Sequence, residues 1–194
     1  MILFFIFIFS VINFLYIRTW NKFSDKVPTG IGVLLTIPCF FFYLGLNLYF
    51  INIALILIFS FLYFLDDLIE IHFLFRIILQ IFASIVVYST FSVELNFIII
   101  FLNFLAFLVL VNTLNFQDGE DLNIATLLIL VFSVFYFYSE NKFTQNTSEL
   151  ILIFLISFSF FNIKKNFLYF GDSGCYFISI IIFLFVYNEI HNTL

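Results

Sequence analysis

Long apolar runs broken by short polar clusters repeat along the whole 194-residue chain. A helix of about 20 apolar residues crosses the hydrocarbon core of a bilayer. The polar punctuation divides the chain into about eight such stretches, at residues 1–17, 31–47, 50–65, 77–92, 96–112, 123–139, 149–163 and 174–190. The segments 31–65 and 77–112 are apolar throughout but too long for one helix, so each reads as a helical hairpin. Their turns are expected near Asn47–Asn52 and near Ser92–Asn96. The polar island Ser139–Glu149 separates the sixth span from the seventh. The expected fold class is all-α: one polytopic membrane domain over residues 1–194, with its polar motifs in the connectors.

Composition strengthens that picture. Hydrophobic residues make up 64% of the chain and charged residues 10%, and the mean hydropathy is +1.21. A soluble domain is about 45–50% apolar. The net charge of −5, with few and scattered Lys and Arg, excludes a nucleic-acid partner. Cys39 and Cys175 form no CxxC pair and have no nearby His, which argues against a zinc or disulfide site. His72 and His191 read as interfacial side chains. The N-terminal apolar run has no basic residue before it and no small-residue cleavage site, so it reads as a span and not a cleaved leader. Alternating the spans places Arg18, Lys22, Lys26, Arg76, Lys164 and Lys165 on one side and Lys142 on the other. The positive-inside rule makes the first side cytoplasmic and puts both termini outside.

The same alternation places three acidic motifs on the cytoplasmic side. Asp66-Asp67 follows the third span and is followed by Glu70, Arg76 and Gln80. Adjacent carboxylates on a helix point about 100° apart, so one can face a site while the other holds a helix end. A solvated loop is the plainer alternative. In the second motif Asn112, Asn115, Asp118 and Asp121 recur every three residues, ahead of Asn123, a spacing expected to share a helix face, and Gly119 is expected to permit a break near the membrane surface. Amides beside carboxylates suit a nucleotide base, a ribose and a hydrated Mg²⁺ together, because Mg²⁺ takes one or two carboxylates plus waters and phosphates. A polar cap for the sixth span would explain one Asp but not the series. The third motif, Phe170-Gly171-Asp172-Ser173-Gly174, directly precedes the last span. A helix N-terminus offers N–H groups to phosphate, and an Asp there can equally be a simple cap. Lys26-Val27-Pro28-Thr29-Gly30 precedes the second span, where the lysine suits either a diphosphate or a positive-inside anchor.

Together these residues resemble the polyprenyl-phosphate N-acetylhexosamine-1-phosphate transferases, glycosyltransferase family 4. That family includes the phospho-N-acetylmuramoyl-pentapeptide transferases and the enzymes that start O-antigen and teichoic acid synthesis. It carries a Pro-Thr-x-Gly-Gly-like element, an Asp-Asp with a downstream Arg-x-x-x-Gln, an Asn-x-x-Asn-x-x-Asp-Gly-x-Asp-Gly run and a Phe-x-Gly-Asp-x-Gly-Ser element. This chain has counterparts of all four in order, across about residues 18–180. It departs where Leu122 follows Asp121 in place of glycine, and where Cys175 stands in place of serine. Family members continue into further spans and a His-rich cytoplasmic loop. Nothing in these residues matches that loop, so a fragment or a shortened homologue is expected.

The resemblance implies an exchange at a diphosphate: polyprenyl (undecaprenyl) phosphate attacks a UDP-N-acetylhexosamine, and UMP leaves. It implies Mg²⁺, or Mn²⁺ in its place, held by Asp172 with Asp118. Asp66, Asp67 and Asp172 would be catalytic, with Asp67 and Asp66 orienting the lipid phosphate or acting as base. Asn112, Asn115, Asp118 and Asp121 would hold the nucleotide and the outer shell of the metal. Lys26 would neutralise the diphosphate, and Arg76 would steady the Asp pair. The expected setting is a bacterial inner (plasma) membrane, with the lipid bilayer as partner and a homodimer admissible. An endoplasmic reticulum enzyme using dolichyl phosphate is the alternative setting. An inactive membrane homologue and an ion-coupled transporter are the rival functions. Carboxylates at span ends on one side disfavour transport, which places ionisable groups near the midplane.

Overall fold

The computed structural model describes residues 2–22, 26–36, 39, 50–69, 71–90, 97–119, 122–163 and 167–193. Among them every regular element is helical: α1 (Ile2–Trp20), a 3₁₀ turn (Ile31–Leu35), α2 (Phe50–Ile69), α3 (Phe73–Thr90), α4 (Phe97–Asp118), α5 (Asn123–Tyr138), α6 (Lys142–Asn162) and α7 (Asp172–Thr193). By length and composition, α1, α4, α6 and α7 can each cross a membrane, and α3 and α5 are shorter apolar helices. The protein is a polytopic, all-α membrane protein.

The described residues hold seven α-helices, fewer than the eight spans expected. The difference falls at 31–47, described only at 31–36 and 39. There Ile31–Leu35 form a 3₁₀ turn that follows Gly30, whose φ of 81° is left-handed. The expected turn at Ser92–Asn96 lies outside the described residues, as does most of the one at Asn47–Asn52, where α2 already begins at Phe50. Two helices run further than apolarity alone indicates. α4 continues to Asp118 and carries the Asn-rich series on its last turns. α6 begins at Lys142 because Asn141 caps it, accepting the Phe143 N–H at 2.8 Å. Its polar first turns then bury Thr144, Thr147 and Ser148.

Packing divides the chain into two compact units, Met1–Ile31 with Phe116–Gly171, and Gly32–Asn115 with Asp172–Leu194. In the first unit, α1 buries Phe9, Asn13 and Ile17, a stripe at intervals of four that marks a helix face. That stripe packs on α6, where Phe9 meets Phe154 edge-on at 5.4 Å. Within the same contact, Asn13 Nδ2 donates to Ser157 Oγ at 3.3 Å, and the Ser10 and Ser157 hydroxyls lie 3.0 Å apart. Small and hydroxylated residues let membrane helices approach closely and bond across the seam. α5 and α6 form an antiparallel hairpin closed by Ser139 and Asn141. Its core is Ile124, Leu128 and Phe132 on one helix and Ile151, Phe154 and Phe158 on the other, all fully buried.

The second unit packs α2, α3 and α7 together, with α4 against the α7 side. Tyr63 of α2 and Tyr176 of α7 stack with ring centres 4.0 Å apart, and Phe107 of α4 meets Tyr176 edge-on at 5.7 Å. Both tyrosine hydroxyls donate to α3: Tyr63 to the Arg76 carbonyl at 3.1 Å, and Tyr176 to the Leu79 carbonyl at 3.2 Å. Hydroxyls inside the spans bond their own helix, as Ser60 does to the Ile56 carbonyl and Ser179 to the Cys175 carbonyl. A polar group without water needs such a partner.

Candidate active site

In the second unit the carboxylates of two motifs meet. Asp67 lies on the last turn of α2, past the apolar run 50–65. It faces the first turn of α7, a helix that starts 105 residues later. Its Oδ1 accepts the Asp172 N–H at 2.9 Å, and its Oδ2 accepts both the Ser173 N–H at 3.1 Å and the Ser173 hydroxyl at 2.7 Å. The first N–H groups of a helix have no partner inside it and carry the positive end of its dipole. Asp67 supplies both the acceptors and the opposite charge. The cap of α7 thus comes from another helix. Asp172, which the sequence reading allowed as a simple cap, is the first residue of α7, and its side chain points elsewhere.

That side chain reaches Arg76. Asp172 Oδ2 lies 3.3 Å from Arg76 Nη1, and Asp66 Oδ2 lies 2.7 Å from Arg76 Nε. The Nε–H itself is directed at the Ile71 carbonyl at 3.2 Å, so the Asp66–Arg76 contact is an ion pair without hydrogen-bond alignment. Asp66 also accepts the Ile71 N–H through Oδ1 at 2.6 Å, which shapes the short α2–α3 connector. Exposure separates the roles. The Asp66 side chain is 1% exposed, whereas those of Asp172 and Arg76 are 32% and 36% exposed. Burial pushes the Asp67 carboxyl up to about 6, against the Ser173 and Asp172 donors that favour its ionised form, while the Asp172 charge adds to the rise.

Three carboxylates against one guanidinium leave this cluster net negative. An all-oxygen, negative donor set suits a hard divalent cation. Among the described residues no three His, Cys, Asp or Glu side chains converge closely enough to hold a metal by themselves. Asp172, about a third exposed, could offer such a cation one carboxylate.

The first unit holds the rest of the third motif. Asp118, at the end of α4, accepts the Phe170 N–H through Oδ1 at 2.8 Å and the Gly171 N–H through Oδ2 at 2.7 Å. Gly171 has φ 86°, a conformation that excludes most side chains. Phe170 is fully buried beside Phe154 and Phe158, and the preceding Tyr169 N–H donates to the Pro28 carbonyl at 2.9 Å. The Pro28-Thr29-Gly30 turn is tied to α1 as well, because the Tyr16 hydroxyl donates to the Thr29 carbonyl. Along the chain, the four successive N–H groups from Phe170 to Ser173 all meet carboxylate oxygens, which bears on the expectation that this turn offers them to phosphate.

The other sequence-derived residues are placed as follows. Asn112 is exposed and donates to the Leu108 carbonyl of its own helix at 2.7 Å. Asn115 Oδ1 is buried without a hydrogen bond. Asp118 is 8% exposed. A step of three residues falls about 60° short of a full turn, so the series rotates from the exposed face of α4 to its buried face and does not form one array. Asp121 lies outside the described residues. Lys26 belongs to the first unit, is exposed, and takes the Trp20 indole N–H on its carbonyl at 3.0 Å. Gly119, expected to permit a break, does follow the last residue of α4, although its φ is not left-handed. Tyr63, Tyr176, Asn13 and Asn162 stand in no motif of the sequence. Each is a lone polar residue within or at the end of an apolar run, and the only available signal is that such a residue needs a partner.

No curated protein and no solved structure matches this chain. The glycosyl transferase family 4 model matches residues 49–188, a stretch that contains Asp66, Asp67, Arg76, the Asn112–Asp121 run and Asp172 and begins after Lys26. The match covers well over half of the sequence, and the chain belongs to glycosyl transferase family 4.

Proposed function

We propose that this protein transfers an N-acetylhexosamine-1-phosphate group from a UDP-sugar to polyprenyl phosphate and releases UMP. The observation that carries the reading is the network Asp66–Arg76–Asp172 with Asp67 closing the same helix end. It joins motifs about a hundred residues apart within a chain of this family. In the reaction an acceptor phosphate oxygen bonds to the sugar-linked phosphorus, and the bond from that phosphorus to the bridging oxygen breaks. UMP leaves with that oxygen. Such transfers need positioning and charge neutralisation more than covalent help. The acceptor monoester has a second pKa near 6 and is largely dianionic at neutral pH, so a protein base is optional.

In this reading Asp172, whose carboxylate is partly exposed, would hold Mg²⁺ or Mn²⁺; the bound cation would offset charge on the diphosphate. Asp67 fixes the helix turn that carries Asp172. Asp66 holds Arg76, whose guanidinium is free to meet phosphate on its exposed side. Asn112, Asn115 and Asp121 serve the nucleotide end, and Asp118, both of whose oxygens take a backbone N–H, holds the loop before Asp172 in place of the nucleotide and metal roles that the resemblance implies for it. Lys26 meets the diphosphate. We place these motifs on the cytoplasmic side of a bacterial inner membrane. The test is UMP release by the chain in lipid, with polyprenyl phosphate, Mg²⁺ and a panel of UDP-N-acetylhexosamines. Release that requires the lipid acceptor and the cation is expected. A folded protein that releases no UMP with any donor would overturn the reading.

A further inference from the structure

Leu122 is the one described non-glycine residue with a positive φ, at φ 60° and ψ −10°. It stands directly before α5, and its carbonyl accepts the Thr126 N–H at 2.9 Å to open that helix. Left-handed backbone is unfavourable for a residue with a branched side chain, and such a conformation persists only where its surroundings hold it. Here the holder is Asn162, at the end of α6 and 1% exposed. Asn162 Oδ1 accepts the Leu122 N–H at 2.8 Å, and Asn162 Nδ2 donates to the Leu168 carbonyl at 2.7 Å. Leu168 lies two residues before Phe170, where Asp118 takes over the backbone.

We propose that Asn162 is a positioning residue of the transferase site. Its planar amide ties the left-handed residue that ends the second acidic motif to the chain entering the Gly-Asp motif. An acceptor and a donor on one short side chain are both needed. Asp would keep the acceptor, lose the donor and set a negative charge against the Leu168 carbonyl. Ala would lose both. The arrangement also accounts for a leucine at a position where glycine is the conformationally permissive choice: the side-chain amide holds what the backbone would not adopt unaided.

The kinetic part of this inference rests on the transferase reading; the structural part does not. The test is residue-resolved amide hydrogen exchange and UMP release on the whole chain in lipid, for wild type, Asn162→Ala, Asn162→Asp and the double variant Asn162→Ala/Leu122→Gly. In Asn162→Ala, exchange is expected to rise about tenfold or more at Leu122, Phe170 and Gly171 while Phe154 in α6 is unchanged. In Asn162→Asp the rise is confined to Phe170 and Gly171. Turnover in Asn162→Ala is expected to fall by roughly 10–100-fold, mostly in kcat, since misplacing reacting groups slows chemistry more than binding. Adding Leu122→Gly relieves the backbone strain without restoring turnover. Unchanged exchange at Phe170 and Gly171 in Asn162→Ala would overturn the proposal, as would full recovery of turnover in the double variant. If the wild type releases no UMP, the transferase reading fails and the exchange pattern alone decides the role of Asn162.

Discussion

Asp118 in the first unit and Asp172 in the second belong to neighbouring steps of the same family pattern, yet their surroundings are opposite. Asp118 is 8% exposed and has a backbone N–H on each oxygen, at 2.8 and 2.7 Å. Asp172 is about a third exposed and makes one 3.3 Å contact with a half-open arginine. A carboxylate whose oxygens are filled by backbone donors holds a fold. One with an open edge and a loose counter-ion remains available to a ligand. Aspartates that look equivalent in a motif can therefore divide into a structural clamp and a chemical group.

The sharpest break of that comparison is Asp172→Asn. Turnover is expected to fall roughly 10²–10³-fold, the usual loss when a charge-stabilising group leaves a reaction centre, with little change in thermal unfolding. Kinetics and melting on one preparation check it, and a large loss of stability with normal turnover would invert the two roles. Asp118→Ala should do the reverse. Two buried N–H donors are orphaned at about 1–3 kcal/mol each, which a denaturant titration in mild detergent reads directly.

The Asp67 carboxyl sharpens the contrast through pH. It rises from its ordinary value near 3.8 to about 6 in the fold. Between those values the folded state keeps a proton that the unfolded chain has released, so stability from this group is present below about pH 4 and lost as pH rises through 6. Wild type should show this slope between pH 4 and 6 and Asp67→Asn should not. If ionised Asp67 is needed to hold the turn that carries Asp172, turnover should climb across the same interval. The smallest effects are at the glycines. Gly171→Ala, at φ 86°, should cost about 1–2 kcal/mol. Gly119→Ala meets only the Phe116 carbonyl at an ordinary 3.5 Å and should stay within about 0.5 kcal/mol. Equal costs at both positions would remove glycine geometry as a reason for the third motif.

The spans and acidic motifs were legible because apolar length and repeated carboxylates are strong patterns. The pairing of Asp67 with the start of α7 was not, since a helix cap lent by a distant helix leaves no local spacing. The Asn112–Asp118 series was legible as helical but misleading as a single face, because a period of three drifts around a helix of 3.6 residues per turn. Asn162, Tyr63 and Tyr176 stayed hidden for a different cause. One amide or phenol among isoleucines and phenylalanines carries no periodic signal, and its importance lies entirely in which carbonyl or N–H it meets.

The seam between Asn13 and Ser157 has a consequence for how the protein is made. The two residues are 144 positions apart, and a ribosome adding about 5–20 residues each second needs roughly 7–30 s to go from one to the other. Throughout that interval α1 exists without the hydroxyl that its buried amide will bond. Bare amides are unwelcome in lipid, so α1 waits, at a wet margin or beside a temporary escort, until α6 arrives.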